Sequence, residues 1–131
     1  HVVVAALRHD SKDPLFTTAE RMEMLEQATS ELPNVSVDSF DGLLVDYARD
    51  RGARLILRGI RAVSDYEYEL QMALMNRQLS SEIETLFIPA AEQYSYLSSR
   101  IVKEVSRLGG DVSALVPDAV VARLRAKHSN L

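Results

Sequence analysis

The 131-residue sequence contains no cysteine and no tryptophan. Without thiols there is no disulfide framework and no thiolate-held metal, and a reducing compartment is allowed. An excess of positive charge is also missing. Fifteen Lys and Arg stand against 19 Asp and Glu, a formal charge of -4, and the sequence pI is near 5.3. That balance excludes a broad nucleic-acid or anionic-membrane surface, so any basic cluster is local and suited to a small anion. Apolar runs are too short to span a bilayer, and the first residues lack the charged-then-apolar build of a signal peptide. A soluble, cytoplasmic protein is expected. His1, His9 and His128 are isolated, and no paired-histidine, carboxylate-rich or Walker-type signature supports a protease, a metal cage or a P-loop.

What is present is 47% hydrophobic residues in a chain of single-domain size, residues 1–131, with no repeat or linker. Apolar runs of strand length alternate with segments of helical period. "HVVVAAL" (1–7) has the continuous hydrophobicity of a strand covered on both faces. Thr17 and Glu20 have capping-box spacing for a helix with Met22, Leu25, Ala28 and Leu32 on one stripe. "NVSVDSF" (34–40) is a second strand, "LLVDYARDRG" a short helix closed by Gly52, and "RLILRG" (54–59) a third strand. Ser64 and Glu67 repeat the capping-box spacing before a helix reaching about Leu79, with Tyr68, Met72, Met75 and Leu79 on one face. That stripe reads as core more readily than as pocket wall. "ETLFIPA" (84–90) is the fourth strand. Ser98 or Ser99 caps a helix with Val102, Val105 and Leu108 that Gly109 and Gly110 stop, and Pro117 opens a last helix to about His128. Strands separated by helices, without hairpin turns, predict an α/β doubly wound parallel sheet with ligands outside the carboxyl ends of its strands.

The stretch "ILRGIRAVSDYEYEL" (56–70) then acquires a location. Arg58 falls at the end of the third strand, Arg61 in the loop after it and Lys12 in the loop after the first. "YSYLSSR" (94–100) lies at the same edge, where a helix start offers unpaired N–H groups beside serines and Arg100. Each cation alone reads as a solvated loop charge. Their convergence reads as a phosphate site. Glu67 and Glu69 fit surface charges or partners for the arginines as readily as a ligand role, and Asn76 continues the face of Asp65, Glu69 and Met72 with a polar group that packing does not require.

With these residues placed, "SKDPLFTTAER", "LRGIRAVSDYEYELQMALMNRQL", "PAAEQYSYLSS" and "VKEVSRLGGDVSALVP" together resemble the bacterial phosphopantetheine adenylyltransferase family over essentially the whole chain. The resemblance implies a Rossmann-like nucleotidyltransferase fold and a homohexamer. It also implies transfer of adenylyl from ATP to 4'-phosphopantetheine, giving dephospho-coenzyme A and pyrophosphate in coenzyme A biosynthesis. Carried over by position, it places Lys12 and Arg58 on the acceptor phosphate. Leu43, the main chain near Leu44, Met72, Met75, Asn76 and Glu104 fall along the pantetheine arm. ATP falls to Gly59, Ile60, Arg61, Glu69 and the stretch Tyr94, Ser95, Tyr96, Leu97, Ser98, Ser99, Arg100. Lys12, Arg58 and Arg61 carry the catalytic charge stabilisation. Mg2+ accompanies ATP without a dedicated protein cage, coenzyme A is a further ligand, and neither nucleic acid nor membrane is a partner.

Two departures bear on the chemistry. The family begins with a strand leading into a T/HxGH-type motif, and the sequence opens at the family's second strand, so one strand–helix unit of about 30 residues, whose strand lies at the centre of the family's sheet, is not among these residues. The 131 residues alone are therefore not expected to form a complete catalyst. Arg100 stands where the family often has a third serine. Two alternatives stay open: a related nucleotidyltransferase acting on nicotinate mononucleotide or glycerol phosphate, and a non-catalytic nucleotide-binding domain.

Overall fold

The computed structural model describes residues 1–8 and 14–128. It contains β1 (Val2–Leu7), α1 (Thr18–Thr29), β2 (Val35–Phe40), α2 (Leu44–Asp50), β3 (Leu55–Ile60), α3 (Val63–Leu79), β4 (Glu84–Pro89), a 3-10 turn (Glu92–Tyr94), α4 (Ser99–Arg107) and α5 (Asp118–His128). The alternation and the parallel pairing are those of a Rossmann-like α/β fold. The chain divides into two compact units, His1–Asp41 with Ser98–Leu131, and Gly42–Leu97.

In the first unit β1 and β2 run parallel, from Val2 opposite Val35 to Leu7 opposite Phe40. The β-branched residues of these runs favour the pleated surface. Helix α1 starts with a complete capping box: Thr17 Oγ1 accepts from the Glu20 N–H at 3.2 Å and Glu20 Oε2 accepts from the Thr17 N–H at 2.8 Å. It packs on the two strands and on α5, which also meets α4. Met24, Val102, Val112, Val121 and Leu124 are buried here. Lys127 of α5 pairs with Glu20 at 2.9 Å, and Arg123 pairs with Glu23.

The second unit pairs β3 with β4, also parallel, from Leu55 opposite Glu84 to Ile60 opposite Pro89. Its core is Val45, Ala48, Ile56 and Ile83, with Leu44 and Ala53 packed against it. Helix α2 ends at Gly52, whose φ of 66° is a left-handed conformation that glycine adopts without a Cβ penalty. Tyr66 of α3 meets Phe87 of β4 edge-on, with ring centroids 6.1 Å apart.

Among the described residues the strands pair in parallel, β1 with β2 and β3 with β4, as alternation of strand and helix requires. Expectations about burial and capping are corrected. No residue of β1 is fully buried, so its unbroken apolar run does not mean cover on both faces. In α1 the buried side chain is Met24. Met22 and Leu25 are half-buried, Ala28 is exposed, and Leu32 lies beyond the helix. A helix with methionines at both 22 and 24 supports two stripes, and packing selects one. Ala62, not Ser64, is the N-cap of α3, with no side-chain cap bond, so Asp65 takes the third helical position. The Ser64 side chain lies outside the described atoms. Tyr68, Met72, Met75 and Leu79 are exposed and form no core stripe. Leu108 is the C-cap residue of α4 and is also exposed.

Candidate active site

The strand and helix of the 56–70 stretch organise two arginine–carboxylate forks. Arg58 alternates with Leu57 and therefore shares the face of buried Ile56, the face that α3 covers. Its guanidinium meets α3 directly. Nε donates to Glu69 Oε2 at 2.7 Å and Nη2 to Glu69 Oε1 at 2.6 Å. This is a two-point fork, the strongest arrangement of an arginine and a carboxylate. The hydrogen bonds it donates to Glu69 hold the Arg58 guanidinium above its already high ordinary range, against the opposing effect of burial.

Arg61 forms a second fork one helical turn earlier. Its Nε donates to Asp65 Oδ2 at 2.9 Å, its Nη2 to Asp65 Oδ1 at 3.3 Å, and its own backbone N–H to Asp65 Oδ2 at 3.4 Å. Nη1 donates to the backbone carbonyl of Leu97. The Asp65 carboxyl is consequently held below its ordinary range, first by the Arg61 side-chain hydrogen bonds. The local sequence produces this pattern simply. Two arginines three residues apart leave the strand end, and two carboxylates four residues apart share one side of α3.

Gly59 sits between the two arginines, exposed on the other face of β3. A Cβ built there would meet nothing within 4 Å, and its φ is not positive. Neither strain nor packing among the described residues requires this glycine. Close approach of a ligand to the backbone would.

The remaining predicted residues fall as follows. Leu43 is the exposed N-cap of α2, while the Leu44 side chain packs against the core. Met72 and Met75 are exposed on α3 and Asn76 is half-buried there. Ile60 ends β3, half-buried. Tyr94 closes the 3-10 turn, and Ser95, Tyr96 and Leu97 follow it in the same unit. In the other unit Ser98 caps α4, its Oγ accepting from the Ile101 N–H at 3.2 Å, and Ser99 begins the helix. Arg100 and Glu104 line one open groove of about 640 Å³ together with Lys103, Arg107, Pro14, Leu15 and His128. The predicted nucleotide stretch is thus divided, 94–97 in one unit and 98–100 in the other. Lys12 lies outside the described residues.

Sequence reading had not assigned Asp65, although its spacing of four from Arg61 was visible. It also missed Lys103 and Arg107, which recur with Arg100 along α4 and flank Glu104. Among the described residues no group of three His, Cys, Asp or Glu converges as a metal cage, and the nearest carboxylates, Asp65 and Glu69, are engaged by guanidinium groups. No helix among the described residues is long and apolar enough to cross a membrane.

Comparison with known proteins identifies the lineage. A model of the cytidylyltransferase-like family matches residues 1–105. The phosphopantetheine adenylyltransferase of Alkaliphilus metalliredigens is 52% identical over 126 residues, covering 96% of this chain and 80% of that protein. The chain belongs to the phosphopantetheine adenylyltransferase family. The enzyme of that name from Heliobacterium modesticaldum is 53% identical over 129 residues, covering 98% of this chain and 77% of its own length. Family membership makes the two arginine forks parts of a nucleotidyltransferase.

Proposed function

We propose that the protein transfers the adenylyl group of ATP to 4'-phosphopantetheine, giving dephospho-coenzyme A and pyrophosphate, a step of coenzyme A biosynthesis. The observation that carries this reading is the pair of forked arginines at the carboxyl end of β3, in a chain half identical to enzymes of that name. Lys12 and Arg58 hold the acceptor phosphate. Leu43, the Leu44 main chain, Met72, Met75, Asn76 and Glu104 follow the pantetheine arm. Gly59, Ile60, Arg61, Glu69 and residues 94–100 hold ATP, and the open space over Gly59 supports that placement.

The acceptor phosphate is itself the nucleophile, so no side chain needs to form a covalent intermediate. A phosphate oxygen of the acceptor attacks the α-phosphorus of ATP in line. The bond from that phosphorus to the β-bridging oxygen breaks, and pyrophosphate leaves with the electron pair. The residues contribute positioning and charge stabilisation. Asp65 and Glu69 are committed to arginines, so Mg2+ would be held chiefly through the nucleotide and would supply charge neutralisation there. The 131 residues belong to one nucleotidyltransferase domain, working in a cytoplasmic homohexamer, with coenzyme A as a further ligand and without nucleic acid or membrane partners.

The test is pyrophosphate release by the intact protein from ATP with 4'-phosphopantetheine, nicotinate mononucleotide or glycerol 3-phosphate. Turnover is expected with the first alone. Faster turnover with either other acceptor, or nucleotide binding without turnover on any of them, would replace this reading with one of its two alternatives.

A further inference from the structure

We propose that Asp65 is a positioning residue for the reaction, holding the Arg61 guanidinium at the angle from which it meets the nucleotide phosphates. The inference rests on the assignment of Arg61 to ATP. Arg61 lies in a short loop between β3 and α3, with 40% of its side chain exposed. An arginine side chain so exposed ordinarily samples many rotamers. Here three of its nitrogens are engaged. Two donate to the two oxygens of Asp65 and the third to the Leu97 carbonyl.

The contacts fix the plane of the guanidinium as well as its place. Asp65 is the less exposed partner, at 28%, and its position in the first turn of α3 is set by the helix rather than by the loop. The same carboxylate accepts the backbone N–H of Arg61, tying the main chain of the loop and the side chain to one anchor. Through Leu97 the guanidinium also joins the segment after β4 in the same unit, so one cation spans two of the loops assigned to ATP. Part of its hydrogen-bonding capacity remains, since the fork and the carbonyl take one donor from each nitrogen and a guanidinium has five. A nucleotide phosphate can use the rest without displacing Asp65.

A purely structural role is the competing explanation, because a carboxylate in the first turn also stabilises a helix start. Kinetics separate the two. In the intact protein, Asp65→Asn keeps size but turns one acceptor oxygen into an NH2 donor and removes the charge, so the fork cannot form. KM for ATP should rise, or kcat fall, by a combined factor of roughly ten to a hundred in kcat/KM for ATP, with the dissociation constant for 4'-phosphopantetheine changed less than about threefold. Asp65→Glu should restore part of the loss. In an Arg61→Ala background, Asp65→Asn should add little, since its effect passes through Arg61.

If Arg61→Ala weakens ATP while Asp65→Asn leaves its kinetics intact, the positioning role is wrong and the ATP assignment stands. If Arg61→Ala leaves ATP binding unchanged, the assignment of Arg61 fails and the positioning role with it. If the two substitutions act additively, or the melting temperature falls while the ratio of ATP to acceptor affinity stays constant, Asp65 is structural only.

Discussion

Glu69 grips Arg58 through both carboxylate oxygens, at 2.6 and 2.7 Å, and the carboxylate is the more buried partner, 12% exposed against 47% for the arginine. The grip uses Nε and Nη2 and leaves the outer edge of the guanidinium for another anion. In the proposed site Arg58 serves the acceptor and Glu69 the nucleotide, so this one ion pair links the two substrates.

Arg58→Ala removes both the fork with Glu69 and the charge-assisted contact with the acceptor phosphate. A charge-assisted contact is worth about 1.5–3 kcal/mol, so affinity for 4'-phosphopantetheine should fall by roughly ten- to a hundredfold while ATP affinity changes much less. Arg61→Ala should show the opposite bias. Calorimetric titration of each ligand into each variant decides the matter, and equal losses for both ligands in both variants would mean that the arginines have been assigned wrongly.

Glu69→Gln removes the charge that orients Arg58. The pair is partly solvated, so the stability cost should be no more than about 1 kcal/mol. Acceptor KM should nonetheless rise roughly five- to tenfold, because the guanidinium is no longer fixed. A large fall in melting temperature with an unchanged acceptor KM would make the pair a structural brace.

How legible these features were in the sequence depended on their range. The Thr17–Glu20 capping box, the Gly52 stop and the Ser98 cap were legible because each is settled within four residues by hydrogen-bond geometry or a positive φ. The start of α3 was legible only to within two residues: a serine invites a cap, but the chain turns helical at Val63. Burial was less legible still. Met72 and Met75 have the spacing of a core stripe and are exposed, since what covers a helix face is a tertiary matter that periodicity does not contain. The arginines were read as phosphate ligands, yet their forks with Asp65 and Glu69 depended on how β3 packs under α3, which only the structure supplies.

Two glycines offer a contrast between fold and function. Gly52 has a φ of 66°, so Gly52→Ala should cost about 1 kcal/mol and leave ATP affinity unchanged. Gly59 has no such constraint and open space around it. Gly59→Ala should alter stability by less than about 0.5 kcal/mol and yet weaken ATP binding. Denaturant melts and nucleotide titrations of both variants check this, and a Gly59→Ala protein with normal ATP affinity would remove the nucleotide from that position.

The pairing of α1 with α5 carries a pH signature whose sign follows from the contacts. Glu20 accepts from Lys127 and from the Thr17 N–H, and these bonds, Lys127 first, hold its carboxyl below the ordinary range. A carboxyl depressed in the folded state adds stability that is fully present above its unfolded pKa and is lost as pH falls through the folded one. The contribution should therefore be complete at neutral pH and fade below the ordinary carboxylate range. Glu20→Gln isolates it, because glutamine at this position still serves a capping box through its amide oxygen while surrendering the charge that Lys127 meets. Stability of the two proteins, measured by denaturant unfolding from pH 7 down to strongly acidic buffer, should differ at neutral pH and converge in acid. Lys127→Ala in the wild-type background should shrink the neutral-pH gap in the same way. A difference between the wild-type and Glu20→Gln proteins that stays constant across the whole range would show that the charge of Glu20 contributes nothing there.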